Sequence, residues 1–158
     1  MPNGTTHAKA TFALAVAGGA TAYHLGHPMP HVIALSAGAL AGLILTPDLD
    51  VDDGCISNRI VRRTTNRPIA WMWARFWRPY GLLIPHRSRL SHMPLLGTAL
   101  RLAYLSILPA LLFWFALVFN VDALARAISS PVFPPWSMWA IGGLVLADTL
   151  HYLMDQLF

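Results

Sequence analysis

The sequence predicts an all-α integral membrane protein, a four-helix bundle with an interfacial Arg- and Trp-rich connection, built as one domain over 1–158. Three observations carry that expectation. The chain is 56% hydrophobic and only 11% charged, against roughly 25% charged for an ordinary soluble domain. Its acidic residues are all Asp, with one Lys and no Glu, so the Glu–Lys pairs that decorate solvated helices are missing. Mean hydropathy is +0.52. An outer surface of this kind suits lipid.

The first helix is expected over about 6–25, capped by Thr5 or Thr6 and stopped by Gly26-His27-Pro28-Met29-Pro30. The second is expected over about 31–46, ending at Pro47, with Gly38-x-x-x-Gly42 providing the small residues that let helices approach closely in lipid. Both are short for a span of about 20 residues, so each requires tilt, shielding or extension by its neighbours. Residues 51–92 read as a long polar connection carrying a short basic helix near Arg59 to Thr65 and an interfacial helix from Ile69 to Tyr80. The third helix, about 95–119, is long enough to span; Arg101 near its start either snorkels or faces inward. An amphipathic piece from Asp122 to Ser130 precedes Pro131, Pro134 and Pro135, and the fourth helix runs over about 136–158.

Charge placement sets orientation. Eight of the eleven basic residues lie between Arg59 and Arg89, interleaved with Trp71, Trp73, Phe76, Trp77 and Tyr80. Basic residues with Trp and Tyr beside apolar helices mark a cytoplasmic membrane interface. The expected partners are a lipid bilayer and a larger membrane protein complex, with no nucleic acid. Cys55 is alone and supports no intrachain disulfide. The N-terminal apolar run carries no clear cleavage pattern for a signal peptide.

Helix parity then brings four polar clusters to one end of the bundle. They are Thr6-His7, Pro47-Asp48-Leu49-Asp50, His86-Arg87-Ser88-Arg89-Leu90-Ser91-His92, and Asp148 with His151 and Asp155. The last three, at i, i+3 and i+7, share a helix face. Asp48 and Asp50 close a helix, where carboxylates oppose the dipole and need a compensating cation. His and Asp in an apolar chain are costly unless they serve a site. His7, Asp48, Asp50, His86, His92, Asp148, His151 and Asp155 are therefore the candidate metal ligands, more than one tetrahedral ion needs. Asp52 and Asp53 read as solvated; His24, His27 and His31 fall near the opposite side. Arg87 can grip a phosphate or carboxylate bidentately; Ser88 and Ser91 are candidates for nucleophile or for hydrogen bonds that orient the ligands. Mixed imidazole and carboxylate favours Zn, Mn or Fe over Ca or Mg, and two ions would suit phosphoester hydrolysis.

Met1-Pro2-Asn3-Gly4-Thr5-Thr6-His7, Pro47-Asp48-Leu49-Asp50, Pro79-Tyr80-Gly81 and Ile84 through His92, continued by Gly97 to Tyr104, also carry a likeness. Together they make the chain resemble an uncharacterised bacterial membrane metal-binding family, domain of unknown function family 2227. The likeness covers roughly residues 1–120, and the helix-4 motif more loosely. Family members carry Asp after the first His, where this chain has Ala8. The family is similar to inner-membrane proteins grouped as metal-dependent hydrolases, and more remotely to zinc-dependent phospholipase C and P1-type nuclease. The resemblance implies a bacterial inner-membrane location and hydrolysis of a phosphoester or lipid headgroup. The rival expectations are a non-enzymatic accessory subunit with a structural metal site or polar network, and an ion transporter; ligands clustered at one end argue against transport, which would place sites near the midplane.

Overall fold

A computed structural model describes residues 4–50, 55–85, 88–129 and 134–157. The described residues are all-helical: α1 (Gly4–His24), α2 (Met29–Ala41), a 3-10 turn (Pro47–Asp50), α3 (Ile56–Thr64), α4 (Arg67–Leu83), α5 (Arg89–His92), α6 (Pro94–Val118), α7 (Asp122–Ser129) and α8 (Ser137–Leu157).

The tightest packing is between α2 and α8, which run parallel. A Cβ on Gly38 would overlap the Ala140 carbonyl, and one on Gly143 would overlap the Leu35 carbonyl. Four residues further along, Gly42 faces Ala147, whose Cβ would lie 2.6 Å from an added one. Absent side chains let the two backbones touch. Helix α1 packs on the other flank of α2, where Ser36 Oγ donates to the Ala15 carbonyl at 3.0 Å. Helix α6 packs against α8 through a fully buried polar knot described below.

Pro94–Val118 is, among the described residues, the helix long and apolar enough to cross a membrane. Helix α2 stops at Ala41 rather than Thr46 and has 13 residues; at 1.5 Å per residue it reaches about 20 Å, short of a hydrocarbon core of about 30 Å. The expected second helix over about 31–46, already short for a span, is corrected to that extent: Gly42 to Ile44 leave the helix as turns.

The connection over 51–92 is also more structured than expected. Cys55 Sγ accepts the Asn58 N–H and Asn66 Oδ1 accepts the Ile69 N–H, capping α3 and α4 as side-chain acceptors do at helix starts. Trp77 and Tyr80, expected at headgroup level, are each 2% exposed. With Leu49 they form a core ringed by Trp73, Phe76, Leu100 and Tyr104, and Tyr104 donates to the Phe76 carbonyl at 2.6 Å. Residues 73, 76, 77 and 80 make one stripe of an amphipathic helix, so their apolar faces find the chain's own surface. Burial of such a ring stabilises by about 4–6 kcal/mol as an upper bound. Trp71, on the other face, stays exposed. The stripe clamps α4 over Leu49, which fixes the turn carrying Asp48.

Candidate metal centre

Four helix ends converge. His7 lies in the first turn of α1, Asp48 in the turn after α2, His92 at the end of α5 just before α6, and His151 and Asp155 one turn apart near the end of α8. His7 Nε2 is 3.1 Å from Asp155 Oδ1, and His151 Nε2 is 3.4 Å from Asp155 Oδ2. Asp48 holds the other side: its two oxygens lie 3.7 Å from His92 Nε2 and 3.7 Å from His151 Nε2. His92 Nε2 is also 4.0 Å from Asp155 Oδ2. The His7 and His151 rings stack at 4.1 Å.

These separations fit an ion. Four donors each about 2.0–2.1 Å from a tetrahedral centre lie about 3.3–3.4 Å from one another. His7, His151 and Asp155 form one group of donors mutually within 4.8 Å, and Asp48, His92 and His151 form another. His151 belongs to both. No Lys or Arg pairs with Asp48 or Asp155 among the described residues. His7 Nδ1 is buried and has no hydrogen-bond partner among the described residues. Burial alone would raise the Asp48 carboxyl, but hydrogen bonds and charge from His151 and His92 outweigh it and hold that carboxyl well below the usual carboxylate range. An ionised carboxylate among imidazoles is the state that binds a cation.

Local structure sets the His92 ring. Ser88 Oγ accepts the Ser91 N–H at 3.2 Å, starting the short helix α5. Ser91 Oγ donates to the Ser88 carbonyl at 3.2 Å and sits 2.7 Å from His92 Nδ1. With its proton on the carbonyl, Ser91 Oγ accepts from Nδ1–H and leaves Nε2 bare toward the acids, the usual way a ligand histidine is oriented. Ser91 is fully buried. Of the two roles read for Ser88 and Ser91, these contacts match the orienting one: Ser88 caps α5 and Ser91 positions His92.

Asp148 does not join the cluster. Its Oδ2 accepts from Thr98 Oγ1 and from the Arg101 guanidinium, and all three residues are at most 2% exposed. Arg101 also donates to the Ser91 carbonyl at 3.2 Å. Arg101, whose sequence position allows either snorkelling or facing inward, faces inward, ties α6 to α8 and braces the strut behind His92. Thr98 was missed from sequence: a threonine in an apolar helix gives no sign of a carboxylate partner 50 residues away. His86 and Arg87, and the side chain of Asp50, lie outside the described residues. His27 and His31 pack on Trp139, with ring centroids at 4.6 and 5.4 Å, at the opposite end of the helices.

Five of the predicted donors thus meet in one place, with chemistry and spacing suited to a divalent ion. No curated protein and no solved structure matches the chain. A family model does, over residues 2–158, and it is described as an uncharacterised metal-binding protein family; the chain belongs to that family, DUF2227.

Proposed function

We propose that the protein is a membrane-embedded divalent-metal-binding protein of the bacterial inner membrane whose His/Asp centre hydrolyses a phosphoester, such as a lipid headgroup, at the cytoplasmic face. The observation that carries the reading is the convergence of three imidazoles and two carboxylates from four helix ends, with no Lys or Arg paired to those carboxylates among the described residues. When bound, a Zn, Mn or Fe ion, or a pair of them, supplies Lewis acidity toward a phosphoryl oxygen and a lower pKa for water. His7, His92, His151, Asp48 and Asp155 would hold it. Ser91 fixes the tautomer of His92. Arg87 is the candidate phosphate clamp.

Membrane embedding is supported by α6. Only 11% of its apolar window is buried, and Leu108, Leu111, Leu112, Trp114, Phe115 and Leu117 are exposed, far more apolar surface than water tolerates on one helix. The basic segment supports the cytoplasmic orientation: Gly4, at the start of α1, sits near the Arg59 guanidinium, so α3 shares the end of the molecule that carries the centre.

The exposed face of α6 equally suits a protein partner. That favours a second reading, an accessory subunit of a membrane complex in which the centre is structural.

Metal content in mild detergent, followed by a phosphoester screen, tests both. One or two transition-metal ions per chain, lost with hydrolysis in His151→Ala and Asp155→Ala, supports the hydrolase. Hydrolysis that survives both substitutions excludes this centre. Bound metal without hydrolysis, and comigration with a large complex, supports the accessory reading.

A further inference from the structure

Helix α4 turns a second face outward. Arg67, Trp71, Arg75 and Arg78, spaced four, four and three residues apart, lie along one side of it, opposite the buried Trp77 and Tyr80. With Arg62 from α3 they line an open groove of about 640 Å³ whose floor is Ala70 and Ala74. No described acidic residue lines it. The Arg75 guanidinium lies over the Trp71 ring at 5.4 Å, which holds its planar fork in place.

The three guanidinium groups that α4 brings to one concavity, Arg67, Arg75 and Arg78, repel one another, and bringing an anion between them relieves that repulsion. Small residues on the floor leave room for a group to enter among the forks, and a guanidinium matches phosphate oxygens two at a time. Trp71, which lines the groove, is 61% exposed, giving it an apolar edge that suits acyl chain or glycerol. We propose that this groove is a phosphate-binding site for an anionic phospholipid headgroup. It is distinct from the metal centre, whose donors include none of these residues, and it stands independently of the hydrolase reading.

The test is calorimetric titration of the full-length protein in non-ionic detergent at fixed ionic strength. The probes are short-chain phosphatidylglycerol, short-chain phosphatidylcholine, inorganic phosphate and a single-stranded oligonucleotide. Phosphatidylglycerol is expected to bind more tightly than phosphatidylcholine. Its affinity should fall by about tenfold or more in Arg75→Gln/Arg78→Gln and stay unchanged in Arg63→Gln, an exposed arginine outside the groove. The Arg75→Lys/Arg78→Lys pair keeps the charge and loses the fork, so it should lose much of that affinity. Weaker binding of inorganic phosphate, sensitive to the same substitutions, identifies the lipid as the source of the phosphate group. Phosphate bound as tightly as the lipid keeps the phosphate site but makes free phosphate its ligand and overturns the lipid assignment. Full binding in the Lys pair, equal binding of both lipids, or a tighter oligonucleotide overturns the proposal.

Discussion

Helix α8 carries two acidic sites two turns apart, Asp148 fully buried and Asp155 half-buried, and they are solved in opposite ways. Asp148 meets a permanent cation, Arg101, and a hydroxyl, Thr98. Among the described residues, the Asp155 carboxylate pairs with imidazoles alone, and Asp48 facing it likewise. A guanidinium stays charged at any working pH, so the first site is closed to a further cation. Imidazoles are neutral or charged according to what surrounds them, so the second can lose protons and accept a metal. In an apolar chain an aspartate shows that some cation is needed; its partner decides whether that cation is built in or bound.

The largest expected effect breaks the closed site. Arg101→Leu leaves Asp148 buried and uncompensated and should destabilise the protein by about 3–5 kcal/mol, while Arg101→Met with Asp148→Leu should recover most of that loss. Thermal or denaturant unfolding of both variants in detergent measures the difference; equal losses would mean the pair is not coupled as described. Next is the open site. A chelator should lower the melting temperature of the wild type and leave His151→Ala unmoved. The stabilisation it removes is about 2.7 kcal/mol if the metal stood at a hundredfold over its Kd. An unmoved wild type would make the cluster a hydrogen-bonded network.

Ser91→Ala probes the strut joining the two sites. Without the contact to His92 Nδ1, metal affinity should drop by about 10- to 100-fold with little change in fold, read by competition against a chromogenic chelator. The smallest effect is in the metal-free protein at acid pH. The Asp48 carboxyl is held below its ordinary value in the fold, so its contribution is complete above about pH 5 and drains as pH falls below about 4. Wild type and Asp48→Asn should therefore differ in melting temperature near neutrality and converge toward acid; a gap that stays constant with pH would show that Asp48 acts by packing alone.

Much of this was legible in the chain. Low charge, absent Glu and apolar runs required helices, and Pro and Gly punctuation bounded α1, α6 and α8 to within two residues. His7, Asp48, His92, His151 and Asp155 stood out because ionisable residues are rare among apolar ones, and helix parity placed them at one end. Parity works because each helix reverses the chain, whatever surrounds it. It carries no information about rotation of a helix about its axis, so it could not separate Asp148 from His151, three residues away on the same face. Thr98 and Arg101 separate them, and only the packing of α6 on α8 brings those two to Asp148. The same holds for α4: its aromatic residues read from sequence as a membrane interface, and Leu49 and Tyr104, distant in the chain, make part of them a core. Composition and periodicity fixed which residues need partners; which partner each one meets depended on side chains tens of residues apart, and only the tertiary structure decided that.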